Sequence, residues 1–171
     1  MRGFSSAEDQ RELFIAHIGL ARETGLPLVI HCRHAFEPLF ALLDREGHGR
    51  VGGVFHCFSG DLAQAQAVIA RGFHIGLVGS LTYDPARSEP VVRALPERSL
   101  LLETDAPYLR PDPQRHARNE PACIWTTATA VARMRGVTLE TLATQTDRNA
   151  RELFGLDAGP AAETASGEGG G

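Results

Sequence analysis

The feature that most constrains this chain is the even spacing of its short apolar runs. "LPLVIHC" (26–32), "VGGVFHCF" (51–58), "FHIGLVGS" (73–80) and "SLLLETDA" (99–106) end near positions 31, 56, 80 and 105, at intervals of 25, 24 and 25 residues. A short unbroken apolar run reads as a strand buried on both faces. A helical segment fills each interval, so the spacing predicts a βα unit repeated four times. Such alternation implies right-handed crossovers and a parallel sheet. An open doubly wound sheet and part of a (β/α)₈ barrel both satisfy it.

The intervening segments carry helix punctuation. Ser5-x-x-Glu8 predicts a capping box, and Leu13, Phe14, Ile18 and Ala21 form an apolar stripe that ends at Gly25 and Pro27. A second helix is expected over 35–47, closed by Gly47, and a third over 61–72 with Asp61 as N-cap. A weaker helix over 84–96 is interrupted by Pro90. Two more are expected after a long loop: 122–135, begun by Pro121 and ended by Gly136, and 138–155, with a break expected near Thr146–Asp147. Residues 157–171 have no apolar face and read as a disordered tail, which leaves 1–156 as one domain.

Composition enters as a bound on function. A chain of 171 residues, 43% hydrophobic and 22% charged, is long enough for one soluble domain with a sizeable core. A formal net charge of −4 excludes a broadly basic nucleic-acid coat but leaves room for a local basic patch. No apolar stretch reaches the ~18–20 residues of a membrane span, and "MRGFSSAEDQ" carries no signal-peptide apolar region, so a cytoplasmic protein without a membrane partner is expected. Cys32, Cys57 and Cys123 are too few and too scattered for a disulfide framework.

Functional side chains of parallel α/β folds gather where the strands end. His31, His56 and Asp105 lie at three such ends. Neighbouring strand residues point to opposite faces, so either the two histidines converge or Cys32 and Cys57 do. Two imidazoles and a carboxylate suit a borderline divalent metal such as Zn²⁺, Mn²⁺ or Co²⁺. On that reading Cys32 and Cys57 pack on the outer face, and His17, His48 and His74 are surface or packing residues. Glu103 shares the period-two direction of Asp105 and is either a second carboxylate beside the site or half of a buried ion pair. His34 and His116 lie in loops beside the site. Arg110, Arg115 and Arg118 are either a grip for phosphate oxygens or an ordinary solvated loop. Ser59, Gly60 and Asp61 open a helix whose free N–H groups suit an anion, with Asp61 in competition.

The segments "LPLVIHCRHA", "GVFHCFSG", "LLLETDAPYLRP", "RNEPA" and "NARELFGL" resemble, in order and spacing, the TatD family of metal-dependent deoxyribonucleases, from about Phe4 to Leu156. The resemblance implies a TIM-type (β/α)₈ barrel of the metal-dependent hydrolase kind, of which this chain is the C-terminal half with about four parallel strands. It implies up to two divalent ions (Mg, Mn or Zn) and hydrolysis of DNA phosphodiesters, often from the 3′ end. His31 and His56 fall on ligands of one metal. Asp105 falls on the ligand of the other, which is also the general base. Arg33, Arg118, Asn119 and Glu120 fall near the substrate or the rim, and Arg115 joins them as a substrate contact. There are departures. His34 stands where the family has Asp, and one lysine of the Arg-Gly-Lys-Arg-Asn loop is missing. The family's N-terminal His-x-His and its bridging glutamate have no counterpart before His31, and a full barrel needs ~250 residues.

The expectation is therefore a metal-dependent hydrolase with DNA as substrate, impaired in this chain to weak binding of one metal and little nuclease activity. Self-association is expected to close the half-barrel. Two other functions fit the same residues: an amidohydrolase acting on an amide or ester, and an inactive half-barrel that binds a partner.

Overall fold

The computed structural model describes residues 5–47 and 51–156. His48 and the tail expected over 157–171 lie outside the described residues. Strands β1 (Leu28–His31), β2 (Gly53–His56), β3 (His74–Leu77) and β4 (Leu100–Leu102) are all parallel and lie side by side in chain order. A doubly wound sheet reverses its strand order at the switch point. No reversal occurs among the described residues, so the arrangement is that of a barrel wall.

Helices α1 (Ala7–Thr24), α2 (Phe36–Leu42), α3 (Leu62–Ala70), α4 (Pro85–Ala94), α5 (Ile124–Arg135) and α6 (Leu139–Phe154) supply the other layer. Period-two alternation assigns the sheet's two faces. Ile30, Phe55, Ile75 and Leu100, each at most 4% exposed, join Ile18, Phe36, Phe40, Val68, Val92 and Val131 in one core. Phe36 and Phe55 stack with ring centroids 6.3 Å apart, and Phe73 meets Phe55 edge-on at 5.6 Å. The opposite face carries Val29, Val54 and Leu101. Val54 and Leu101 are buried, whereas Val29, on the edge strand, is 63% exposed.

Local differences from expectation have local causes. The capping box of α1 is built one residue later, from Ser6 and Asp9, with both reciprocal bonds at 3.0 Å. Glu8 pairs instead with Arg11 at 2.6 Å. The N-cap of α3 is Asp61, answered by Gln64, so that carboxylate already occupies the helix start considered for an anion. The second helix ends in a wide π turn over Leu43–Gly47. β3 stops at Leu77, followed by a 3₁₀ turn over Gly79–Thr82, and β4 stops at Leu102. Glu103 N–H to the Leu77 carbonyl, at 3.1 Å, continues the pairing one residue past β4. Pro90 sits inside α4. α6 runs unbroken through Thr146–Asp147: Thr146 Oγ1 bonds back to the Leu142 carbonyl at 3.0 Å, and Asp147 pairs with Arg151 at 2.9 Å.

Candidate metal centre

The register of β1 and β2 sets His31 directly beside His56. Residues in register on parallel neighbours share a face, and the ring centroids lie 6.1 Å apart at 47°. His31 is exposed and His56 partly buried. The two histidines converge, and Cys32, 6% exposed, packs in the helix-side core.

Glu103 determines what His56 presents. Its Oε2 lies 2.7 Å from His56 Nδ1, and its Oε1 accepts the Cys57 N–H at 2.6 Å. A carboxylate is only an acceptor, so Nδ1 donates to it, and in the neutral imidazole Nε2 is the nitrogen with a lone pair to offer. Gly76 makes this possible. A Cβ there would lie 2.5 Å from Glu103 Oε1 and 2.8 Å from Cδ. Asp105 arrives on the loop three residues beyond β4, not on the strand as expected, and places Oδ1 3.6 Å from His56 Nε2.

Cys57 breaks the alternation. Its φ is +49°, in the left-handed region that β-carbon-bearing residues seldom adopt, and its Sγ lies 3.0 Å from His56 Nε2. The outer-face placement expected for Cys57 is therefore corrected. His56, Cys57 and Asp105 offer donor atoms that all lie within 4.8 Å of one another. Burial, then Glu103, then Asp105 push the Cys57 thiol up to about 12. The surroundings thus hold an excess of negative charge. Among the described residues neither Glu103 nor Asp105 pairs with an arginine. His31 stands outside the tight group, beside His56.

The expected substrate residues separate. Arg33 and His34 follow β1 on an exposed loop, with His34 at φ +56°. Arg118 is exposed too. Among the described residues, no hydrogen bond or ion pair holds the side chains of Arg33, His34 or Arg118. Arg115 is held at the loop tip: Nε is 3.9 Å from Asp112 and 3.3 Å from His116 Nε2, and the guanidinium lies over the Tyr83 ring. Arg110 is a brace, bonding the Arg118 carbonyl and Gln114. Asn119, expected near the substrate, is 3% exposed, and its amide is engaged within the loop. Its Nδ2 bonds the Tyr108 carbonyl at 2.6 Å, its N–H the Pro107 carbonyl at 3.0 Å, and its Oδ1 accepts the Glu120 N–H at 2.9 Å. It locks the loop that carries Asp105.

Comparison with known proteins gives the arrangement its family. The family model described as TatD related DNase matches residues 1–155. The uncharacterized metal-dependent hydrolase YabD of Bacillus subtilis is 37% identical over 154 residues, 90% of this chain and 60% of that protein. The 3′-5′ ssDNA/RNA exonuclease TatD of Escherichia fergusonii is 37% identical over 161 residues, 91% of this chain and 62% of that one. This chain therefore spans about 60% of the length of these relatives. The solved structure of YjjV, a TatD homologue from Escherichia coli, superposes with a TM-score of 0.81 at 32% identity, covering 87% of this chain and 57% of its own. With the family motifs on the strand ends, a parallel four-stranded sheet in chain order and a matching solved fold, the chain belongs to the TatD-related DNase family of TIM-barrel hydrolases.

Proposed function

We propose that this chain carries the metal site of a hydrolase that cleaves nucleic-acid phosphodiester bonds, with single-stranded DNA as its substrate. One observation carries the reading: the imidazole at the end of β2 meets, across β3, two carboxylates that follow β4, and no arginine pairs with either carboxylate among the described residues. That donor chemistry fits a divalent cation such as Mg²⁺, Mn²⁺ or Zn²⁺. His31, His56 and Asp105 would hold it. A bound cation supplies Lewis acidity toward a phosphoryl oxygen and makes water more acidic.

The chain's own residues do the rest. Glu103 keeps the proton of His56 on Nδ1, so Nε2 faces the site as a donor. Asp105 accepts the proton of the attacking water. Arg33 and Arg118 offer guanidinium forks to the phosphate oxygens, and Arg115 adds charge at the loop tip. The 3′-5′ ssDNA/RNA exonuclease among the relatives supports attack at a 3′ end.

The test is release of nucleotides from a 3′-labelled single-stranded oligonucleotide by the purified chain with added Mn²⁺. Hydrolysis by this chain is expected to be slow, to require the ion and to fall further in Asp105→Asn. Equal rates in the chain and the variant, or with and without chelator, would overturn the proposal.

A further inference from the structure

We propose that Cys57 is a thiolate ligand of the cation at this site, so that His56, Cys57 and Asp105 together select a thiophilic ion, Zn²⁺ or Co²⁺, over Mg²⁺. The inference rests on the reading that the site holds a cation.

The chain contains its own comparison. His31 and His56 are register partners, so Cys32 and Cys57 are the next residues on adjacent strands. Alternation sends both toward the helices. Cys32 obeys and is 6% exposed in the core. Cys57 does not: φ of +49° turns it back, and Sγ comes 3.0 Å from the nitrogen that would ligate a metal. A left-handed residue bearing a β-carbon costs roughly 1–2 kcal/mol. The sulfur leaves the core for it, while the same turn seats the Phe58 N–H on the Gly76 carbonyl at 3.0 Å and its ring edge-on to Phe36.

A second observation is independent of the sulfur's position. The Glu103 carboxylate that fixes His56 Nδ1 also holds the Cys57 N–H, at 2.7 and 2.6 Å. One support therefore orients both residues. The distances suit joint ligation with a small adjustment. Tetrahedral bonds of about 2.3 Å to sulfur and 2.0 Å to nitrogen place the two atoms roughly 3.5 Å apart. Sγ withdraws by about half an ångström from its present hydrogen bond. His56 Nε2 and Asp105 Oδ1, at 3.6 Å, already stand close to such a separation. On ligation the S–H bond breaks, its proton passes to solvent and the sulfur lone pair forms the metal bond. Imidazole with thiolate suits Zn²⁺ and Co²⁺, whereas Mg²⁺ demands oxygen ligands.

The experiment is an anaerobic titration of the full chain with Co²⁺, followed by absorption. A near-ultraviolet sulfur-to-cobalt charge-transfer band is expected beside the visible d–d bands. It should persist in Cys32→Ser and Cys123→Ser and vanish in Cys57→Ser. Cys57→Asn, whose side chain tolerates a left-handed φ, guards against a backbone effect and should lose the band too. Stoichiometric Zn²⁺ should erase the spectrum, and a large excess of Mg²⁺ should not. Visible bands without the near-ultraviolet band, or a band that survives in Cys57→Ser, overturn the sulfur ligand and leave the cation site standing. No cobalt spectrum at all overturns both.

Discussion

Replacing Gly76 with alanine should disable the metal centre from beneath while touching none of its ligands. The new Cβ would sit 2.5 Å from Glu103 Oε1, 2.8 Å from Cδ and 3.3 Å from Oε2. β3 is paired on both sides, so the strand cannot retreat, and the Glu103 side chain must swing out. Two bonds to a charged acceptor are then lost, from His56 Nδ1 and the Cys57 N–H. Such bonds contribute about 1.5–3 kcal/mol each. Both side chains of the His56–Glu103 pair are about a quarter exposed (25% and 24%), so water replaces part of that and the low end applies. About 1.4 kcal/mol is a factor of ten in affinity. An independent scale agrees, since loss of a group supporting a metal-ligating histidine costs about 10–100-fold. Zn²⁺ affinity, read by competition with a chromophoric chelator, should therefore fall by about 10–100-fold in Gly76→Ala, with a cooperative urea transition retained. Glu103→Gln, which keeps the volume and one oxygen acceptor, should fall in the same direction by less. A folded Gly76→Ala chain that binds Zn²⁺ as tightly as the parent would refute the role assigned to Glu103.

Further outcomes are expected elsewhere. Asn149, fully buried, gives Nδ2 to the Glu97 and Leu100 carbonyls at 2.6 and 2.8 Å, and Asn149→Leu should lower urea stability by about 2–4 kcal/mol through two orphaned acceptors. Burial holds the His74 imidazole below its ordinary value, against opposing hydrogen bonds to Gly53 and Arg98 and the charge of Glu152. The unfolded chain therefore takes up a proton near pH 6.5 that the folded chain refuses. Stability is complete above that pH and should decline as pH falls through it, and His74→Gln should flatten the decline. Arg118→Ala should leave stability unchanged and reduce the salt slope of oligonucleotide binding by about 1. Arg110→Ala, which removes the loop brace, should instead raise the susceptibility of 106–120 to proteolysis.

The sheet was legible because its determinants are local and repeated. Four apolar runs at even spacing specify parallel strands, and the register that seats His31 beside His56 follows from units of nearly equal length. Barrel wall and doubly wound sheet were not distinguishable, because strand order is a tertiary property. Period-two alternation placed Cys32 correctly and failed one strand later. Nothing in the residue type at 57 signals a left-handed φ, and that single dihedral moves a sulfur from core to site. Glu103 was legible in direction and as a carboxylate supporting the site, but not in its partners: its grip on both His56 and Cys57 depends on the space over Gly76, which only the packed strands reveal. The family resemblance puts Asn119 near the substrate or the rim. Its burial reflects a loop that folds back on Pro107 and Tyr108, a long-range closure that composition does not encode.

The central claim is that side chains from separate strand ends form one cation-binding pocket. Its most direct measurement is Zn²⁺ binding by equilibrium dialysis for the chain and for His31→Ala, His56→Ala and Asp105→Ala, each checked for a folded circular dichroism spectrum. Binding should be abolished in His56→Ala and Asp105→Ala and weakened in His31→Ala, which lies at the pocket's edge. Folded His56→Ala and Asp105→Ala chains that bind the ion as the parent does would contradict it.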